Sequence, residues 1–281
     1  MERETLKNIF DFLKKEENKE HKDNGSIKWK LFFNEPFTKE ELNVNGDLNL
    51  RGLKIKSLPE GLIVGGDLNL SQSTITSLPE GLKVGGILAL NRCENITSLP
   101  RGLEVGALNL MLSKIKYLPE GLKVDGFLSL LNTEITSLPR GLEVGGDLFL
   151  RHLNIETLPD DLKVGGELNL SYCVKLKSLP EGLEVGEDLN LFNAAGLKSL
   201  PEGLKVGRDL YLQYTNIKSL PKGLKVGGML DLRNCKSLTS LPEGLEVGGD
   251  LMLEYSDLKT HTNTKLKKMI YPGFIKGKIK R

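Results

Sequence analysis

Leu-Pro pairs recur along this chain with a regularity that few folds can accommodate. Their prolines are Pro59, Pro79, Pro100, Pro119, Pro139, Pro159, Pro180, Pro201, Pro221 and Pro242, in steps of 19, 20 or 21 residues. A period of that size marks repeated supersecondary units rather than one globular core. Superimposed, the copies read LPxGLxVGGxLxLxxxxIxS. Each holds two leucines one residue apart, from Leu48 and Leu50 through Leu128 and Leu130 to Leu251 and Leu253. A period of two puts both on one side of an extended strand. Five or six residues later comes another aliphatic residue, such as Ile75, Ile115, Leu176 or Leu238, and then the leucine of the next pair. One coil cannot enclose all of these, whereas coils stacked as strands about 4.8 Å apart share a continuous core.

The small residues explain how the chain turns in so few steps. Pro79 pre-sets φ at the start of its turn, and Gly81 removes the Cβ where the path bends. The glycine pairs, such as Gly65 and Gly66 or Gly145 and Gly146, tolerate positive φ and are expected to let neighbouring coils approach closely. Nothing in the repeat has helical spacing, so turns, polyproline-like or short 3₁₀ segments are expected on the back of each coil. The coil of Val105, Gly106 and Ala107 lacks one turn residue and is expected to pack tighter.

The spacing LxLxxxxIxxLP resembles that of leucine-rich repeats. The short coil is similar to the bacterial class found in enteric effectors, and similar LPEGLKVGGDLxL coils occur in bacterial and phage proteins. The resemblance spans roughly Asn43 to Leu258. It implies an α/β leucine-rich-repeat solenoid, a horseshoe with a parallel sheet on the concave face and turns or 3₁₀ segments on the convex face, with an N-terminal α+β cap. The family's asparagine ladder is replaced here by Ser73, Cys93, Ser113, Thr133, Cys173, Ala194, Thr215, Cys235 and Ser256, with Leu53 and Leu153 in two coils. Its backbone hydrogen bonds must then be met by hydroxyls, thiols or water, or go unmet.

The organisation expected is therefore a cap at 1–46, the solenoid at 47–258 and a basic tail at 259–281. In the cap, Glu2 to about Lys19 reads as a helix with Leu6, Ile9, Phe10 and Leu13 on one stripe. Ser26 to Phe33 alternates, with Ile27, Trp29, Leu31 and Phe33 on one face, and reads as a strand. Thr38 and Glu41 fit a capping box. In the tail, Met269–Tyr271 and Phe274–Ile275 read as two short extended pieces around Pro272 and Gly273.

The net charge of +2 hides an asymmetry. The tail carries eight basic residues and no acidic one, which leaves −6 for the residues before it. Lys265, Lys267, Lys268, Lys276, Lys278, Lys280 and Arg281 form a candidate basic patch, read first as a solvated rim on a cap and second as a contact for nucleic acid or an anionic surface. No apolar run approaches the roughly 18 residues of a membrane span. No signal peptide is evident, so a cytoplasmic protein is expected, with delivery into a host cell as the alternative. Cys93, Cys173 and Cys235 occupy one repeat position several coils apart, beyond the roughly 7 Å reach of a disulfide. They read as reduced residues lining the core.

No catalytic or metal-binding pattern emerges. Asp160 and Asp161 lie at a solvated bend, His21, His152 and His261 lack partners at metal spacing, and the glycine pairs lack the strand, helix and lysine of a phosphate cradle. The expectation is a non-enzymatic protein without cofactor or metal. Its informative positions are the outward-facing ones around each LxL strand. The first column is mostly acidic, with Asp47, Asp67, Asp147, Glu167, Asp188, Asp209 and Asp250, and the middle one is often asparagine. Against that polar ground stand Ile87, Met111, Phe127, Leu131, Phe149, Arg151, Phe192, Tyr211, Met229, Arg233 and Met252, with His152, Tyr172 and Tyr214 beside them. Aromatics with arginine on such a surface have the composition of a binding hot spot. A partner protein is expected there, or a second copy of the chain.

Overall fold

The computed structural model describes residues 22–281. The helix expected over Glu2–Lys19 lies outside the described residues. From Asn43 onward the chain forms a solenoid of stacked parallel coils joined in a 22-stranded sheet. Each coil contributes two short strands rather than one. The LxL strands pair in register, as Leu128 with Leu148 and Leu148 with Leu168. A second ladder runs through the valines, as Val124 with Val144 and Val144 with Val164. Two coils merge both into single strands, Lys83–Ala89 and Glu104–Asn109. The second is the coil one residue short, and it meets its neighbour through a register shift between Val84 and Ile87.

The paired leucines face inward throughout, and Leu128, Leu130, Leu148 and Leu150 are fully buried. Leu128 N–H donates to the Asp147 carbonyl at 2.8 Å, and Leu130 N–H to that of Phe149 at 2.9 Å, so main-chain bonding and core burial repeat together. The backs of the coils are turns and irregular chain, as the spacing predicts.

The glycine pairs give the close approach of coils that the sequence implies, without using the positive φ that glycine tolerates. Within the coils the residues with positive φ are the turn glycines, such as Gly81 at 69°, and the residue two beyond each LxL, such as Tyr172 at 60°. The paired glycines are there for space. A methyl group on Gly165, Gly227 or Gly248 would overlap a carbonyl oxygen of the preceding coil, and the same holds for the unpaired Gly186 and Gly207 at the equivalent position.

The position of the missing asparagine ladder is filled in several ways. The Cys93, Cys173 and Cys235 thiols donate to the carbonyls of Leu70, Leu150 and Leu212 in the preceding coil, at 3.0, 3.1 and 3.0 Å. The Thr215 and Ser256 hydroxyls donate within their own coils to Leu212 and Leu253, both at 2.6 Å. Ser113 Oγ has no partner. All three cysteines are free and buried, and burial pushes Cys173 and Cys235 up to about 11, far from the thiolate a nucleophile needs.

Both flanking segments differ from the sequence reading. Lys22–Phe33 is a helix, α1, and not a strand. The alternation of Ile27, Trp29, Leu31 and Phe33 also contains two i,i+4 pairs. Ile27 is buried and Leu31 packs on the core, while the Trp29 and Phe33 rings lie 4.0 Å apart. Thr38 and Glu41 do form the reciprocal bonds of a capping box, with Thr38 N–H donating to the Glu41 carboxylate at 2.8 Å and Glu41 N–H to Thr38 Oγ1 at 3.3 Å.

In the tail, Met269 and Ile270 end a helix, α2 (Asn263–Ile270), rather than an extended piece. Thr262 caps α2 by accepting from Lys265 N–H, and Leu266 and Ile270 are buried beneath it. Phe274–Ile275 then pairs with Glu246–Val247, and Ile279–Lys280 with Leu251–Met252. The last residues thus continue both ladders by one coil. None of the described helices is long and apolar enough to cross a membrane.

Candidate partner-binding face

Three columns of side chains stand on the outward side of the LxL strands. The first contains Ile87, Phe127 and Met229; the middle one Phe149, Tyr211 and Met252; the third Met111, Leu131, Arg151, Phe192 and Arg233. Arg151 is exposed and the other ten are partly buried. The register sets Phe149 beside Ser129 and Tyr211 between Asn190 and Asp231. Phe127 and Leu131 flank one strand and Phe149 sits in the next.

The polar residues of this face serve the main chain. Each aspartate of the first column accepts the backbone N–H of the equivalent residue one coil on: Asp47 from Asp67, Asp67 from Ile87, Asp147 from Glu167, Asp188 from Asp209 and Asp209 from Met229, at 2.6–2.9 Å. Asp250 does the same for Lys278 at 2.8 Å. Glu167, one methylene longer, instead accepts from Asn169 Nδ2 at 2.8 Å. The middle asparagines accept from the N–H two residues on, as Asn169 from Ser171 at 3.1 Å and Asn190 from Phe192 at 3.0 Å. The sequence shows the aspartates as a polar ground; their reach to the next coil is the part that spacing alone does not reveal.

Four coils carry rings in contact. His152 stacks on Tyr172 at 4.7 Å, Tyr172 meets Phe192 at 5.3 Å, and Phe192 meets Tyr214 at 5.3 Å. The Arg151 guanidinium lies 4.9 Å from the centre of the Tyr172 ring. Beside the rings is a cavity of about 220 Å³ lined by Arg151, Asn169, Ser171, Tyr172, Asn190, Phe192, Tyr211 and Gln213.

Its electrostatics are set from one margin. Asp147, Glu167, Asp188 and Asp209 follow one another on successive coils, and the cation closest to them is Arg208, 3.9 Å from Asp188. Burial, reinforced by Asp147, Asp188 and Glu187, raises the Glu167 carboxyl above its ordinary range. Burial also pushes the Tyr211 phenol up to about 12, helped by its hydrogen bond to Asp209 at 3.1 Å. At the far margin Asp231 is completely buried, gripped by Arg233 and by Gln213 Nε2 at 2.5 Å. Gln213 Oε1 has no donor. Gln213 and Asp231 were not singled out from the sequence; their only signal there is that they break the repeat.

A larger cavity, about 770 Å³, lies against the valine ladder. Its charges are largely paired: Glu143 bridges Lys123 at 2.9 Å and Lys163 at 2.7 Å, and Asp161 accepts from Gly141 N–H. This belongs to an alternating column, Lys83, Glu104, Lys123, Glu143, Lys163, Glu184 and Lys205, that the sequence reading also missed. Exposed pairs of this kind contribute little apiece. They favour one register of coil upon coil.

The basic patch is divided. Lys265, Lys267 and Lys268 are exposed on α2, whereas Lys276, Lys278 and Lys280 lie along the terminal strands. Lys280 is paired with Asp250 at 2.8 Å, and Arg281 bonds to Asn263. Comparison of the chain with protein-family models and with curated proteins gave no match.

Proposed function

We propose that this chain is a non-enzymatic recognition module, a leucine-rich-repeat protein of the bacterial or phage type, which holds a partner protein on the outward face of its LxL strands. The observation that carries the reading is the run of partly exposed Phe127, Leu131 and Phe149 on adjacent coils, continued by Arg151 and the ring contacts of His152, Tyr172, Phe192 and Tyr214. Apolar and aromatic groups grouped on a rigid sheet mark interaction surfaces. The free cysteines suit a reducing compartment such as the cytoplasm.

Affinity purification with the wild-type chain and with the double variant Phe127→Ala and Phe149→Ala tests it. These side chains lie outside the leucine core, so the variant should keep the circular dichroism of the parent and lose the captured partner. Equal recovery of the same partner by both would refute the site.

A second reading rests on Lys265, Lys267 and Lys268, which stand exposed on α2 without a carboxylate partner among the described residues. In that reading the tail contacts nucleic acid or another anionic surface. Affinity would then fall steeply with salt, and binding insensitive to salt would exclude it.

A further inference from the structure

The cavity beside Tyr172 and Phe192 has a more specific chemistry than the face around it. We infer that it receives an arginine side chain presented by the partner; this rests on the reading of the face as a protein-binding surface.

Three observations converge. Glu167, Asp188 and Asp209 stand two residues before the cavity's Asn169, Asn190 and Tyr211 on the same outward side of the same strands, and among the described residues neither Glu167 nor Asp209 has a cation within ion-pair distance. A cationic occupant relieves that crowding, whereas a neutral or anionic one leaves it. The cavity is lined by the aromatic residues Tyr172, Phe192 and Tyr211 and by the polar Asn169, Ser171, Asn190 and Gln213, with Arg151 at one end. A guanidinium has a flat, weakly hydrated face that stacks on such rings while its N–H groups point outward in the plane, and a lysine ammonium does not. Arg151, over Tyr172 at 4.9 Å, shows one such ring already accepting a guanidinium. Finally, Gln213 lines the cavity at 7% exposure with Nε2 donating to Asp231 and Oε1 without a donor. A buried acceptor left unpaired is costly, and the occupant's N–H groups supply what it lacks. The chain's own Arg151 stands three coils from Gln213, about 14 Å at strand spacing, too far to fill both ends.

The test uses the full chain and four probes: the blocked pentapeptide Gly-Gly-Arg-Gly-Gly, its lysine and citrulline counterparts, and a neutral tetrasaccharide. Two-dimensional ¹H–¹⁵N spectra follow the side-chain amides of Gln213 and Asn190. The arginine peptide should shift both, with the lysine and citrulline peptides at least about tenfold weaker, the worth of one charge-assisted hydrogen bond. Phe192→Ala and Glu167→Gln, each checked for an otherwise unchanged spectrum, should weaken the arginine peptide by a similar factor. An arginine peptide that leaves both amides unmoved, a citrulline peptide that matches it, or a tetrasaccharide that shifts them instead overturns the inference. The face itself is judged separately. If the peptide fails while the Phe127 and Phe149 variant still loses the partner, the arginine site falls and the recognition surface stands.

Discussion

Arg233 closes over the carboxylate of Asp231, with Nη2 2.6 Å from one oxygen and Nε 3.0 Å from both, while Asp231 itself has no solvent exposure. The two residues are neighbours on the outward side of one strand. A carboxylate sealed in this way depends on its partner. Arg233→Ala should therefore destabilise the fold by about 2–3 kcal/mol, below the roughly 3–5 kcal/mol of a wholly buried pair because the half-exposed guanidinium leaves water a route in. Replacing both, Asp231→Asn with Arg233→Met, should restore most of the loss in urea unfolding. Equal losses in the single and double variants would show that packing, not charge, holds this corner.

Space at the coil corners sets a second expectation. A methyl on Gly186 meets the carbonyl of Gly165, whereas Gly46 has nothing within 4 Å of an added Cβ. Gly186→Ala should cost about 1–3 kcal/mol or more, and Gly46→Ala should be close to neutral. Thermal unfolding of the two variants side by side distinguishes them.

Glu143 gives the acid limb of the stability profile a specific contributor. Its hydrogen bonds to Lys163 and then Lys123 lower the carboxyl from 4.5 to about 2. The folded state thus retains the anion longer than the unfolded chain does. Its stabilising contribution is complete above about 4.5 and disappears as pH falls toward about 2. Glu143→Gln should melt slightly lower than wild type at neutral pH, and the gap between the two melting curves should close as pH approaches 2. A gap independent of pH would assign the effect to something other than charge.

The final coil predicts the behaviour of a truncation. Leu251 and Leu253 donate their N–H groups to the carbonyls of Lys278 and Lys280, both at 2.8 Å. Removing residues 262–281 strips these acceptors and uncovers apolar surface beneath Leu266 and Ile270. An unprotected strand edge pairs with other chains, so the truncated protein should self-associate with rising concentration in light scattering while the full chain does so less. Lys276 and Lys278, beside the outermost described strands, are the kind of charge that discourages such pairing.

The solenoid was legible in the sequence because its leucines answer to a single rule, burial between identical neighbours, and the rule is written out in every coil. The valine ladder was not, since a two-residue strand such as Lys123–Val124 has no alternation to display. Ser26–Phe33 misled for a different reason: residues spaced by two also include residues spaced by four, and the helix uses Ile27 with Leu31 and Trp29 with Phe33. On the candidate face, Phe127, Phe149 and Phe192 declared themselves as departures from a polar pattern. Gln213 and Asp231 did not, because their importance lies in each other and in Arg233, and such a relation exists only once the coils are stacked.

The aspartates of the first column grip the next coil by its main chain, so their hold is indifferent to which side chain that coil presents. Asp67 is followed by Ile87 and Asp209 by Met229 on the same terms as Asp47 by Asp67. The lettering of the exposed surface is thereby freed from the mortar that binds it. A chain of this kind can change what it recognises one tier at a time, rewriting a single outward residue without renegotiating the junctions above and below.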